Sequence, residues 1–227
     1  MPAELWTTFD AAPLWLTLRV ALIATLLALL LGVALGWVFA RTRLPGRGVL
    51  EAVCMLPLVL PPTVLGYAIL VAMGRRSPLG QWLREHFDYT VIFNWHGAVI
   101  ASALVALPLV LKGASSAFTQ VDRRLEAAAR TLGQSAWSSF VRVTLPQAWP
   151  GILAGTLLAF ARAMGEFGAS LMVAGSIPGQ TQTASMAIYD AVQAGRDDLA
   201  FLLAAMVSAV SVLILVLSNR YLQRQAS

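Results

Sequence analysis

The sequence predicts an all-α integral membrane protein of about five transmembrane helices, with its N-terminus outside and its C-terminus inside. Three observations carry this. Hydrophobic residues make up 58% of the 227 residues and charged residues only 12%, against roughly 45–50% and 25% in a soluble domain. A soluble fold of this size cannot cover its surface with so few charges, which excludes an ordinary cytosolic enzyme and a disordered chain. Five long stretches carry no charge at all: Val20 to Ala40, Ala52 to Gly74, Thr90 to Leu111, Val143 to Ala161 and Leu199 to Asn219. Each is near the roughly 20 residues that a helix needs to cross the hydrocarbon core, and far longer than the roughly ten-residue alternating strands of a membrane barrel. The third observation is where the cations lie. With the N-terminus outside, the inner segments hold Arg41, Arg43, Arg47, Arg123, Arg124, Arg130, Arg142, Arg220 and Arg224. The outer segments hold only Arg75, Arg76, Arg84 and Arg196. This asymmetry is the positive-inside pattern, so the net charge of +5 orients the chain and is no sign of a nucleic-acid partner.

The elements follow in order. The leader Met1 to Pro13 has no Lys or Arg but contains Glu4 and Asp10. It lacks the basic start of a cleaved signal peptide and reads as a short outer tail. The first span is expected at 14–40. The second, at 50–74, contains Pro57, Pro61 and Pro62. Each proline removes a backbone donor and crowds the preceding turn, and in lipid the freed carbonyls need partners from protein or water. Either the break lines a pathway or it is a kink fixed by its neighbours. The third span is expected at 93–115, the fourth at 148–174 and the fifth at 199–219. Gly32 with Gly36 and Gly151 with Gly155 are small-xxx-small pairs, which suit close helix contacts within the bundle or between subunits. Arg19 and Lys112, at helix edges, are expected to snorkel to an interface.

The segment 120–149 is too long for a connector within a bundle. Val121, Leu125, Ala128 and Leu132 fall on one helical face, and Asp122, Arg123, Arg124 and Arg130 on the other. Gly133 is placed to end that helix. Ser135 is placed to cap a second short helix through Trp137, Phe140 and Val141. This hairpin suits either the lipid interface or a partner protein.

Arg162 and Glu166 lie at i and i+4 in the fourth span and are spaced to pair. Intramembrane charges are costly and face the bundle interior or a watery cavity. They therefore line or gate a path, or they brace the helices as a neutral pair. No nucleophile–base constellation and no Gly-rich loop ending in Gly-Lys-Ser/Thr occurs, so no hydrolytic or ATPase activity is expected of the chain. His86 and His96 lack metal-ligand spacing, and no metal site is expected. Inverted repeats or chains of intramembrane ionisable groups, the marks of an ion-coupled secondary transporter or channel, are also missing.

The stretch Ala127-Ala-Ala-Arg-Thr-Leu-Gly133, followed after nine residues by Val143-Thr-Leu-Pro146, resembles the cytoplasmic loop of binding-protein-dependent ABC importers. That family's pattern is Glu-Ala-Ala, three residues, Gly, nine residues, Ile-x-Leu-Pro. Val143 replaces the Ile. Ala127 stands at the Glu position, with Glu126 one residue earlier. Leu56 to Tyr67, Met73 to Arg76, and Phe160 to Ala169 with its Gly-Glu-aromatic-Gly stretch further resemble the molybdate permeases of that superfamily. The resemblance covers roughly residues 12–220, as one transmembrane domain. It implies a type I ABC importer fold in the bacterial cytoplasmic membrane and a homodimer of this chain. It also implies two ATP-binding cassette subunits that carry ATP and Mg, and a periplasmic binding protein delivering molybdate, with sulfate or tungstate as alternative cargo. The chain itself is expected to carry no cofactor and to contact lipid but no nucleic acid. The resemblance assigns contact with the ATPase to Glu126, Ala128, Ala129, Arg130, Thr131, Leu132 and Gly133. Candidate path or gate residues are Pro61, Pro62, Arg162, Glu166 and Gly168.

Overall fold

The computed structural model describes residues 10–42 and 45–226, with side chains as far as residue 216. Residues 1–9 of the leader and Arg43 lie outside the described residues. The described residues form helices joined by turns, and none of them lies in a strand. The helices are α1 (Ala12–Arg41), α2 (Arg47–Val59), α3 (Pro62–Met73), α4 (Pro78–Phe87), α5 (Trp95–Gln120), α6 (Arg123–Thr131), α7 (Ala136–Met164), α8 (Gly168–Ala174), α9 (Ala184–Gln193) and α10 (Asp197–Ala226). By length and composition α1, α5, α7 and α10 can each cross a membrane. The pair α2 and α3, bent by 112°, is apolar enough together to make a fifth crossing if it is one broken span.

Helix α5 is the centre of the bundle. Its most apolar stretch is 61% buried inside the chain, against 11% for α10. Lipid tails are as apolar as leucine, so helices in a membrane associate by close contact of small residues. Both Gly pairs serve this purpose inside the chain. A Cβ on Gly32 would stand 2.8 Å from Val110, and one on Gly36 would stand 2.8 Å from Ala114. Gly113 of α5 faces Gly151 and Gly155 of α7, where an added Cβ would meet backbone at 2.9 Å. The remaining core fills with Ala and Val, including Ala21, Ala24, Ala28, Ala106, Val110 and Ala159.

The second run is two helices. Pro57 is tolerated within α2, but the chain turns extended at Leu60 and Pro61, and Pro62 opens α3. The Pro61 carbonyl then accepts from the amides of Val64 and Leu65.

The expected fourth span at 148–174 is not one helix. Helix α7 begins earlier, at Ala136, and ends at Met164; after Gly165-Glu166-Phe167 the chain resumes as α8. The expected second arm of the hairpin is the start of α7, and Pro146 and Pro150 lie within it. A π turn over Phe140–Thr144 allows this, with the Leu145 amide donating to the Phe140 carbonyl. Pro146 has no N–H to offer, so a regular turn would leave a carbonyl without its donor here; the widened turn absorbs the irregularity.

Two short helices fall in segments expected to be loops. Ser77 caps α4 by accepting from the Gly80 amide at 2.9 Å. Helix α9 is tied to α1 where the Thr17 hydroxyl accepts from the Ala184 amide at 2.8 Å. The connection before α9 is closed by Thr181, which donates to the Gly175 carbonyl and accepts from the Ile177 amide. Asp190 accepts from Ser176 and Gln182.

Replacing Gly113 by Val should lower stability by about 1–3 kcal/mol, the usual cost of overpacking. Gly48→Ala, where a Cβ meets nothing within 4 Å, should leave it unchanged. Thermal unfolding in detergent checks both.

Candidate functional site

The hairpin at one end of the bundle is built as its sequence suggests. Asp122 caps α6 by accepting from the Arg124 amide at 2.8 Å. At the corner Gly133 has φ +84°. The Gln134 amide reaches the Ala129 carbonyl and the Gly133 amide the Arg130 carbonyl, the paired bonds of a Schellman end. Ser135 then caps α7 by accepting from the Ser138 amide at 3.1 Å.

The seven hairpin residues do not all face the same way. Glu126 is half-buried and turned inward. Its Oε1 accepts from Arg41 Nη2 at 2.5 Å and from the Thr144 hydroxyl at 2.6 Å. The Ser139 hydroxyl donates to its backbone carbonyl at 3.5 Å. Arg41 ends α1 and Thr144 lies in the π turn of α7, so one carboxylate ties the hairpin to two long helices. Ala129 is half-buried, while Ala128, Arg130, Thr131, Leu132 and Gly133 are exposed. The expected apolar face divides: Val121 is buried, but Leu132 is 85% exposed, Trp137 beyond the corner is 73% exposed, and Leu125 is exposed. Phe140 anchors the base, with its ring near those of Trp37, Phe118 and Trp137. A cavity of about 290 Å³ beneath the corner is lined by Arg41, Arg123, Arg130 and Glu126, among others. The result is an exposed apolar knob with Arg123 and Arg130 nearby.

The candidate path residues meet in the bundle. A Cβ on Gly168 would stand 2.8 Å from Pro62, so the break in the second span abuts the break after α7. Glu166 occupies that second break. Its Oε2 pairs with Arg162 Nη1 at 2.9 Å, its Oε1 accepts from the Ala169 amide at 3.0 Å, and its side chain is 1% exposed. The i,i+4 spacing therefore produces the pair even though Glu166 lies beyond the helix end. The carboxylate is fully engaged, as a neutralised pair and as a cap for α8.

Two features escaped the sequence reading. Arg41 appeared only as one inner cation, because nothing local links it to a carboxylate 85 residues away. Lys112 has a partner the sequence did not reveal: its Nζ lies 2.5 Å from Glu51 Oε1, while Arg47 Nε stands 4.0 Å from Glu51 Oε2. Arg19 lies 4.1 Å above the Trp95 ring, beside a cavity of about 450 Å³ that also involves Asn94, Gln180 and Gln182. Nearby, burial pushes the Tyr89 phenol up, which keeps it a neutral hydroxyl.

Residues 15–227 match the family described as binding-protein-dependent transport system inner membrane component. The molybdenum transport system permease protein ModB of Escherichia coli (strain K12) is 41% identical over 209 residues, covering 92% of this chain and 91% of that protein. The sulfate transport system permease protein CysT of the same organism is 34% identical over 203 residues, covering 89% of this chain and 73% of that protein. Among solved structures, the MetNI methionine ABC transporter in inward-facing conformations aligns with a TM-score of 0.71 at 17% identity. That alignment covers 93% of this chain and 94% of the transporter chain; at this identity the likeness speaks for the fold.

Glu126→Ala would leave the Arg41 guanidinium, only 10% exposed, without its carboxylate. Loss of a hydrogen bond to a charged group costs about 1.5–3 kcal/mol. Amide exchange in 123–145 should therefore quicken, read by hydrogen–deuterium exchange, while exchange in α5 stays slow.

Proposed function

The chain belongs to the family of binding-protein-dependent transport system inner membrane components, and from that premise we propose that it is the membrane-spanning permease of an ATP-driven molybdate importer. It is a multi-pass inner-membrane permease subunit of an ABC importer with the type I fold. The observation that carries the substrate is the 41% identity to a molybdenum permease over nearly the full length of both chains. The sulfate permease is more distant and longer than the matched region, which favours molybdate over sulfate. Tungstate, a tetrahedral dianion like molybdate, stays within the same reading.

In this proposal two copies of the chain form the pore and two ATP-binding cassette subunits bind ATP and Mg. A periplasmic protein delivers the anion. The N-terminus lies outside, and the hairpin end of the bundle faces the cytoplasm. The exposed Leu132 and Trp137, with Arg130 beside them, enter a cleft on each ATPase. When the ATPases close on ATP, the hairpins move with them. The Glu126 tie to Arg41 and Thr144 passes that motion to α1 and α7 without slack. Arg162, Glu166 and Gly168, beside Pro61 and Pro62, mark where the two broken spans move against each other. Transport by such rocking of helical bodies needs stiff couplings and a few deformable joints; the Glu126 tie and the two helix breaks support this reading.

The test is to co-express the chain with its ATPase and binding protein, reconstitute the complex and measure anion uptake. ATP-dependent uptake of molybdate should exceed that of sulfate. Leu132→Asp should abolish co-purification of the ATPase while the permease still folds. Full uptake without any ATPase would overturn the reading, and a stable active complex with one copy of the chain would overturn the dimeric pore.

A further inference from the structure

We propose that α4 lies flat in the lipid headgroup region at the end of the bundle away from the hairpin, with Leu79, Trp82, Leu83, His86 and Phe87 turned into the membrane. Its place in the chain sets its level. Helices α1 and α5 run parallel, since Gly32 meets Val110 and Gly36 meets Ala114. Their first turns therefore share one end, where Arg19 stands over Trp95. Arg41 and the hairpin share the other. Helix α3 packs on the first half of α5: Leu65 and Ile69 form one cluster with Ala101 and Val105, and Met73 and Ile92 lie against it. Residues 74–77 and 88–94 join α4 to α3 and α5, so it cannot stray far from the membrane boundary. With 10 residues, about 15 Å, it is too short to cross.

The two sides of α4 differ in kind. At about 100° per residue, Leu79, Trp82, Leu83, His86 and Phe87 share one side, and Gln81, Arg84 and Glu85 share the opposite one. That division marks a helix lying in the interface plane. The chain leaves the apolar side open: Leu79 is 44% exposed, Trp82 47% and Phe87 65%, and Gly80 is the one buried residue of the helix. Gly80 also shows where the bundle stands. A Cβ there would meet the Gly74 carbonyl at 2.1 Å, about a quarter turn from the middle of the apolar side. The end of α3 therefore flanks α4 and does not cover its apolar side. The stripe is ordered without a partner. Trp82 stacks on His86 with ring centroids 5.2 Å apart and meets Phe87 edge-on at 5.4 Å. Ser77 caps the start, and Asp88, at φ 46°, closes the end. An aromatic patch where membrane helices end sits where tryptophan settles, with its apolar body inward and its polar edge at the headgroups. Arg75, Arg76 and Arg84 are exposed and suit contact with lipid phosphates. The patch continues the lipid-facing surface of the membrane helices, which argues for lipid over a protein partner.

The test uses the chain with its ATPase, reconstituted in vesicles of phosphatidylethanolamine and phosphatidylglycerol. In a Cys54→Ala background, a nitroxide is attached in turn at Leu79→Cys, Gln81→Cys, Leu83→Cys and Glu85→Cys. Power saturation reads access to oxygen, which concentrates in the bilayer, and to a nickel chelate, which stays in water. Labels at 79 and 83 should meet oxygen more than nickel, and labels at 81 and 85 the reverse. Adding the binding protein should change neither. Equal nickel access at all four positions overturns the proposal. So does shielding of 79 and 83 from both reagents, which marks a face covered by a second copy or by the ATPase complex, and so does shielding that begins only when the binding protein is added. A second measurement needs no label: Trp82→Ala should reduce the share of tryptophan fluorescence quenched by lipids brominated near the headgroup, and an unchanged share overturns the proposal. Neither measurement depends on which anion the complex carries.

Discussion

Everything in this fold depends on how closely α1 and α7 approach α5. In lipid there is little apolar surface to hide by associating, so contact between backbones has to supply the stability. The glycines at 32, 36, 113, 151 and 155 let three helices meet with no room for a methyl group between them. Alanine and valine fill the rest. Helices held this closely behave as one body, and the exposed elements take their positions from that body. Helix α2 is the contrast. It has no buried residue and touches the trio through α5, where its side chain Glu51 meets Lys112.

The charges sort by the same logic. A single ion in the membrane is costly, and each charge named at depth has a partner. The pairs differ in how open they are. Glu166 is closed off, with both oxygens engaged, so Arg162–Glu166 belongs to the architecture of the break. Glu126 and Arg41 are largely covered and fasten the hairpin. Lys112 and Arg47 are half in the open around one carboxylate. Exposure, more than spacing, separates these pairs.

Sequence alone carries the long runs well, because uncharged stretches near 20 residues have few other physical readings. It carries the corner too, since Asp122, Gly133 and Ser135 occupy the positions that caps require. It fails where one signal has two outcomes. Pro61 breaks its helix, while Pro57 and Pro150 do not. The break falls at the tandem Pro61-Pro62, where Leu60 and Pro61 each precede a proline and turn extended. Glu166 looks like an interior helix residue, and only the fold shows that its carboxylate caps α8. The Glu126 tie joins residues far apart in the chain. The apolar face of α6, which the sequence offers equally to the lipid interface or to a partner protein, is only partly covered by this chain: Val121 is buried, while Leu125 and Leu132 stay exposed.

The continuity of α7 gives these parts a mechanical relation. From Ala136 to Met164 it is one helix of 29 residues, about 43 Å long at 1.5 Å per residue. One end carries the exposed Trp137 and is tied to α1 through Thr144, Glu126 and Arg41. The other end stops at Gly165, beside the Pro62–Gly168 contact where the second span is also broken. No flexible linker separates the two ends; the π turn is the one irregularity, and the Glu126 tie braces it at Thr144. A displacement of the hairpin therefore cannot dissipate in a loop. In the proposed mechanism it would travel along the helix towards the meeting of the two breaks. The close glycine contacts would keep α1 and α5 moving with α7, leaving Leu60–Pro61 and Gly165–Phe167 as the breaks in the path. A bundle with flexible hairpins or unbroken spans would lose one half of this relation, either the input or the joint.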